Sequence, residues 1–299
     1  MNESARVRTA VRVGTILPIA EGDGPGRTPT WKEILQFARR AEAVGVDSIW
    51  VFDHMFSNEP GTDPRGMHEA WSLQSALAAS TERVELGQLV MCTSFRNPAL
   101  LAKMAATADE ISDGRLILGL GAGWHDQEYR AFGYPVDHRV SRFEEAIGII
   151  GPLLRGQSVT ISGNFYTVSD AVLLPKPNRH IPVLVAGKRP RMLRLAARHA
   201  DAWNTAWFGL PDHRLQAQLT AFDAALATEG RDGSSVRRTV GVEVTDADRS
   251  DAGRRLTELL AAYSSLDVDD VLLVLQPMTV ESLDRLGEAL KMWRAGTGC

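Results

Sequence analysis

Short apolar segments alternate with helical patterns along almost the whole chain, and this alternation restricts the possible folds more than any other feature. Eight segments have the length and apolarity of buried strands, and helical spacing of apolar residues follows each one. The predicted strands are 11–17, 48–52, 84–90, 116–120, 182–186, 202–206, 239–244 and 271–275. The predicted helices are 30–44, 71–79, 98–111, 139–154, 190–199, 211–228, 251–263 and 282–292. This order predicts an α/β fold, most economically a (β/α)₈ TIM barrel, with an open doubly wound sheet as the alternative.

One segment interrupts the alternation. Residues 158–168 alternate between polar and apolar like two short strands joined around Gly163 and Asn164. This pattern predicts an inserted hairpin after the fourth helix. Because there is no sequence repeat and no linker rich in glycine, proline or serine, we expect residues 1–299 to form a single barrel domain.

The composition is that of an ordinary soluble globular protein. The 299 residues are 44% hydrophobic and 23% charged, with a net charge of −4, and the pI is near 6.0. The absence of a basic cluster argues against nucleic acid, and no apolar run approaches the ~18 residues of a membrane helix. Residues 1–10 precede no apolar stretch of signal-peptide length. Cys92 and Cys299 form no disulfide framework or metal-ligand pair, so we expect a cytoplasmic protein without a metal site.

Polar residues cluster where the predicted strands end. In a barrel, the carboxyl ends of the strands meet at one mouth, which is where barrel enzymes bind their ligands. Asp53 and His54 follow the second strand, and His68 and Glu69 lie in the loop beyond it. We predict His54 as the catalytic acid or base and Glu69 as a second candidate, because histidine changes charge near neutral pH. Alternatively, Asp53 and His54 only satisfy backbone groups at the strand end.

Glycines and tryptophans also mark these ends. Gly119, Gly121 and Gly123 follow a buried strand without the spacing of a dinucleotide fingerprint. They would allow a flat ring or a phosphate to approach the main chain closely. Three tryptophans could line an apolar pocket, although each taken alone is more often a packing residue: Trp50, Trp71 and Trp124.

A basic segment follows the fifth predicted strand. Gly187, Lys188, Arg189, Pro190 and Arg191 occupy a strand-to-helix turn. Free amides at a helix N-terminus together with three positive charges are suited to binding a phosphate. The alternative is a solvated basic loop.

Four stretches together resemble the luciferase-like monooxygenase superfamily, in particular its branch that uses the deazaflavin coenzyme F420. They are Phe52-Asp53-His54, the stretch from Arg96 to Lys103, the stretch from Gly114 to Trp124, and the stretch from Leu195 to Asn204. The resemblance runs in order and spacing from about residue 11 to 206. It implies a (β/α)₈ barrel with the cofactor ring across the carboxyl ends of the strands.

The resemblance also implies site residues. A bulge after the third strand, which in relatives often contains a non-prolyl cis peptide, corresponds to Leu89, Val90 and Met91, and Met91 stands where relatives often have threonine. Trp124 stands where relatives that oxidise sugar phosphates or secondary alcohols have glutamate. The basic segment would suit the phosphate and the anionic tail of F420. The assigned cofactor-binding residues are Asp53, Leu89, Val90, Met91, Cys92, Gly121, Gly123, Trp124, Gln127, Gly187, Lys188 and Arg189.

The resulting hypothesis is an F420-dependent oxidoreductase that transfers a hydride between the deazaflavin and a small organic substrate. The alternatives are an FMN-dependent monooxygenase of the bacterial luciferase or alkanesulfonate type, and a cofactor-binding barrel without catalysis. The sequence does not identify the substrate. Candidate contacts are Glu69, Trp207, Phe208, Gln276 and Met278. Relatives are often homodimers, so a homodimer is also expected.

Overall fold

The structure is a computed structural model that describes residues 11–23, 26–57 and 63–297. Two of the sequence observations therefore lie outside the described residues, namely those on residues 1–10 and on Cys299. None of the described helices is both long enough and apolar enough to cross a bilayer.

Eight parallel strands form a closed barrel. Each strand pairs with its neighbours in sequence, and the last strand pairs with the first, for example Val13 with Val271. The strands are β1 (Arg12–Ile16), β2 (Ser48–Val51), β3 (Glu85–Gln88), β4 (Leu116–Gly121), β5 (Val183–Ala186), β6 (Ala202–Phe208), β7 (Arg237–Val244) and β8 (Asp270–Leu275). This closure confirms the predicted TIM barrel, and the open sheet is wrong.

In the described part of the chain, each barrel strand is followed by one or two helices. They are α1 (Trp31–Val44), α2 (Ala70–Ala78), α3 (Pro98–Ile111), α4 (Asp126–Ala131), α5 (Arg139–Leu154), α6 (Pro190–His199), α7 (His213–Thr228), α8 (Ala252–Ser264) and α9 (Val280–Thr297). Eight agree with predicted helices to within a few residues. The short α4 lies in the loop after β4 and was not predicted.

Trp50 fills much of the barrel interior. Its side chain is almost fully buried, and a Cβ atom on Gly87 would lie 2.2 Å from the indole ring. A Cβ atom on Gly14 would lie 2.8 Å from the indole nitrogen. Small residues on the neighbouring strands thus make room for one large ring, which confirms that Trp50 is a packing residue.

The loops at the carboxyl ends contain most departures from the prediction. The hairpin of strands Val159–Ser162 and Thr167–Ala171 is confirmed, directly after α5. The strand predicted over 84–90 ends at Gln88, and Met91–Cys92 pairs separately with β4. A second hairpin, Phe56–Ser57 with Arg65–Gly66, has strands too short to leave a periodic pattern.

Candidate active site

His54 lies at the mouth of the barrel, three residues beyond the end of β2. Its side chain is 25% exposed, and its Nδ1 atom lies 2.8 Å from Oε2 of Glu128. Glu128 belongs to α4, and its carboxylate is almost completely buried. The loops after β2 and β4 therefore bring an accessible imidazole against a buried carboxylate.

The bonds to Glu128 determine its charge. Burial favours the neutral acid, but the hydrogen bond and charge of His54 and the donating backbone amides of Met55 and Phe56 outweigh it, so the pKa of Glu128 is lowered. A carboxylate next to Nδ1 accepts a hydrogen bond and so keeps the ring proton on that nitrogen. The other ring nitrogen, Nε2, is then free to accept a proton.

A second imidazole lies beside the same carboxylate. Nδ1 of His125 lies 3.3 Å from Oε2 of Glu128 without forming a hydrogen bond with acceptable geometry. One donor atom from each of His54, His125 and Glu128 falls within 4.8 Å of the others, a grouping that could hold a metal ion. The absence of a metal site stays a prediction.

Asp53 lies below His54 in an ion pair with Arg96. Its carboxylate accepts hydrogen bonds from Arg96 at 2.6 and 3.1 Å and from the Cys92 amide at 2.9 Å. Burial raises the pKa of Asp53, and Arg96 opposes this effect. Asp53 therefore joins the segment after β2 to the segment after β3, and its 4% exposure leaves little surface for a cofactor.

Glu69 caps α2 and binds the same arginine. Its carboxylate accepts hydrogen bonds from the amides of Trp71 and Ser72 and forms an ion pair with Arg96. Burial alone would raise the pKa of Glu69, but these bonds lower it. Glu69 thereby joins the N-terminus of α2 to Arg96, and its predicted acid–base role stays a prediction.

The bulge after β3 contains the cis peptide that the resemblance implies, between Leu89 and Val90. These two side chains are partly exposed, whereas Met91 and Cys92 are buried. Sγ of Cys92 lies 3.0 Å from the hydroxyl of Tyr129, and burial raises the pKa of the thiol to about 11. Met91 and Cys92 could therefore reach a cofactor only through their backbone, and the assignment of these four residues to the cofactor stays a prediction.

Two glycines, Gly121 at the end of β4 and Gly123 just beyond it, make room for neighbouring protein atoms. A Cβ atom on Gly121 would lie 2.4 Å from Cγ2 of Val90. Gly123 has a φ of +77°, and a Cβ atom there would lie 2.0 Å from the Tyr129 hydroxyl. Packing against the bulge and α4 is therefore one reason for glycine at both positions, and the close approach of a ligand stays a prediction.

The segment after β5 leaves a helix N-terminus open. Arg189 is the N-cap of α6, but its side chain makes no capping hydrogen bond, and Pro190 follows it. Lys188 and Arg189 are exposed, and neither forms an ion pair with a residue that the structure describes. Arg191 instead binds Glu144 and Ser141 on α5, so two of the three predicted charges remain available.

Gly187 packs inside the protein. A Cβ atom on it would lie 2.5 Å from Cβ of Met192, and its carbonyl accepts a hydrogen bond from Nε1 of Trp203 at 2.8 Å. Gly187 therefore sets the close contact between the end of β5 and α6, and its assignment to the cofactor stays a prediction.

The remaining predicted residues separate into exposed and buried ones. Trp124 is 69% exposed, with its ring edge toward His54 at 5.5 Å between centroids. Trp207, Gln127 and Gln276 are also exposed. The residues that are buried or bonded within the protein are Trp71, Phe208, Met278 and His68, the last through Nε2 to the Pro29 carbonyl.

Sequence reasoning gave no role to three functional candidates: Arg96, His125 and Glu128. Arg96 lies within a stretch that we quoted for the resemblance, but its pairing with Asp53 needs the fold. His125 and Glu128 are three residues apart directly after a strand end, and this spacing on a helical turn was the available signal.

Comparisons with known proteins identify the family. The family model for luciferase-like monooxygenases matches residues 11–294. An F420-dependent glucose-6-phosphate dehydrogenase of Microbacterium testaceum strain StLB037 is 30% identical over 270 residues, covering 89% of this chain and 78% of the relative. A phthiodiolone/phenolphthiodiolone dimycocerosates ketoreductase of Mycobacterium sp. strain JLS is 31% identical over 290 residues, covering 88% of this chain and 73% of the relative.

A solved structure shares the fold. An F420-dependent secondary alcohol dehydrogenase in complex with an F420–acetone adduct superposes with a TM-score of 0.76 at 20% identity, covering 96% of this chain and all of that one. The matched family model extends over nearly the whole described barrel, including every strand end discussed above. The chain belongs to the luciferase-like monooxygenase family.

Proposed function

We propose that this protein is an F420-dependent oxidoreductase that transfers a hydride between the deazaflavin and a small organic substrate. The observation that supports this most is the pairing of His54 with Glu128, which presents an acceptor nitrogen at the barrel mouth. Hydride transfer to or from a carbonyl carbon requires a proton partner for the oxygen, and His54 supplies one. The F420-dependent relatives support the same cofactor.

The residues present fit this cofactor. The open N-terminus of α6, with Lys188 and Arg189 exposed beside it, suits a phosphate. Leu89 and Val90 offer apolar side chains at the mouth, on which a flat ring can rest. When bound, F420 accepts or donates a hydride at its deazaflavin ring.

The chain itself performs the proton transfer. In alcohol oxidation, Nε2 of His54 takes the hydroxyl proton while the hydride leaves carbon; in the reverse direction, the imidazolium returns that proton to the oxygen. Glu128 fixes the orientation of the ring and stabilises the imidazolium. Arg96 holds the segments after β2 and β3 together through Asp53 and Glu69.

An anaerobic turnover assay tests this proposal. Reduced F420 and a panel of carbonyl compounds are mixed with the protein, and the reoxidation of F420 is followed optically. Turnover without oxygen supports hydride transfer. Strict dependence on oxygen and FMN would overturn the proposal in favour of a monooxygenase.

We also propose a cytosolic homodimer. Leu100 and Ile111 expose apolar side chains on α3, which supports a partner surface there. The free, buried thiol of Cys92 fits a reducing compartment. Light scattering at several protein concentrations tests the assembly, and cell fractionation tests the location.

A further inference from the structure

The ring of Trp124 lies in the open beside the reacting group. Its side chain is 69% exposed, its edge faces His54 at 5.5 Å between ring centroids, and it stacks on His125 at 5.1 Å. A tryptophan held by a stacked neighbour yet left open to solvent costs free energy unless a ligand covers it. Its place next to His54 points to the substrate as that ligand.

The aromatic surface continues outward from Trp124. The ring of Phe56 lies 5.8 Å from that of His125 and 6.3 Å from that of Phe132, which is 53% exposed. On the other side, Phe52 lies 6.2 Å from His54. The imidazole of His54 therefore sits within a surface made largely of aromatic carbon.

The charges around the mouth do not favour a second phosphate. Lys188 and Arg189 are assigned to the phosphate of the cofactor. Several other arginines around the mouth are already paired with carboxylates: Arg96 with Asp53 and Glu69, Arg130 and Arg139 with Asp126, and Arg214 with Asp212. A sugar phosphate would compete with these carboxylates for the guanidinium groups.

The carboxylates near His54 are also engaged. Both carboxylate oxygens of Glu128 and of Asp53 accept hydrogen bonds from the protein. A substrate with several hydroxyl groups would lose its water there without finding enough partners, and unsatisfied polar groups are costly. One oxygen, bonded to His54, can be accommodated.

We propose that the substrate is an uncharged alcohol or ketone that bears an apolar ring, and that Trp124 binds this ring. This inference rests on the proposed function. In the oxidation direction, the carbinol carbon gives its hydrogen with two electrons to F420 as hydride. The hydroxyl proton goes to Nε2 of His54, and the C–O single bond becomes a carbonyl. The reduction direction reverses each transfer.

The test compares three alcohols in the presence of F420: cyclohexanol, 2-propanol and glucose 6-phosphate. We expect the kcat/KM for cyclohexanol to exceed that for 2-propanol by at least about tenfold, in keeping with burial of several CH₂ groups. The W124A variant should lose most of this preference, and its Kd for F420 is measured alongside, because the resemblance also assigns Trp124 to the cofactor. Met292→Ala removes an exposed apolar side chain from the last turns of α9 and should leave both alcohols unaffected.

Binding supplies a second measurement that does not depend on turnover. In the complex with oxidised F420, cyclohexanone should quench tryptophan fluorescence, and W124A should weaken its binding by about tenfold or more. Three results would overturn the inference: a preference for glucose 6-phosphate, an equal loss for all three alcohols in W124A, or F420 binding without any response to the ring compounds. Failure to bind F420 at all would instead overturn the proposed function.

Discussion

Nδ1 of His54 lies 2.8 Å from Oε2 of Glu128, and the two residues reach this contact from the loops after β2 and β4. The carboxylate is buried and the imidazole is open on its other side. The buried Glu128 carboxylate thus fixes the orientation and the tautomer of the partly exposed His54 ring. The predictions below begin with this pair.

Replacing the imidazole should remove catalysis and leave cofactor binding intact. We expect His54→Gln to lower kcat by about 10²- to 10⁴-fold, because a positioned general acid or base contributes that much. The Kd for F420, measured by fluorescence quenching, should change little. The control is His180→Asn. His180 lies just before β5 and pairs with Asp201. An unchanged kcat in His54→Gln would contradict the assignment.

The stabilising effect of Glu128 should depend on pH in a defined direction. The pKa of Glu128 is lowered in the folded chain, so the unfolded chain binds the proton first as the pH falls. Its contribution to the free energy of unfolding is therefore complete above the usual glutamate pKa of about 4.3 and disappears below it. Urea unfolding of the wild type and Glu128→Gln should differ at pH 7 and converge toward pH 3. If the two proteins differed in free energy of unfolding by the same amount at every pH, the lowered pKa of Glu128 could not be the cause.

The ion pair below the site should matter more than one on the surface. Arg96→Met leaves Asp53 buried without its partner, a change that costs about 3 to 5 kcal/mol in comparable cases. Arg27→Met breaks an exposed pair with Glu33 and should have a small effect. Denaturant unfolding measures both. Similar free energies of unfolding for the two variants would mean that the ion pair with Arg96 does not stabilise the buried Asp53.

Much of the barrel could be predicted because its strands are buried on both faces and therefore read as continuous apolar segments. The mouth of the barrel was harder to predict from the sequence. His54 stood out as a titratable residue at a strand end, whereas Glu128 lies in an unpredicted helix of six residues and acquires its role only through a contact 74 residues away. The sequence also could not show that Met91 and Cys92 are buried, since they follow the end of the regular strand and their pairing with β4 is separate.

The open end of α6 should carry much of the cofactor affinity. The double variant Lys188→Ala with Arg189→Ala removes two charge-assisted contacts, together worth about 3 kcal/mol or more, so the Kd for F420 should rise at least about 100-fold. Binding of the deazaflavin chromophore without its phosphate should not change. Arg194→Ala, an exposed arginine further along α6, is the matched control. Equal losses for both ligands would place the phosphate elsewhere.

Alanine substitutions at two glycines can separate the free-energy cost of a strained backbone from the cost of poor packing. Gly123 and Gly133 have φ values of +77° and +75°, but only Gly123 is crowded, by the Tyr129 hydroxyl and Sγ of Cys92. We expect Gly133→Ala to cost about 1 to 2 kcal/mol from backbone conformation alone. Gly123→Ala should cost clearly more and weaken F420 binding, because α4 must move. Equal melting temperatures would contradict the packing role of Gly123.

The most direct test of the central claim is an equilibrium titration of the purified apo protein with F420 and, separately, with FMN, followed by quenching of tryptophan fluorescence. The proposed function predicts saturable binding of F420 at concentrations where FMN has little effect. Tight binding of FMN with weak or absent binding of F420 would contradict it.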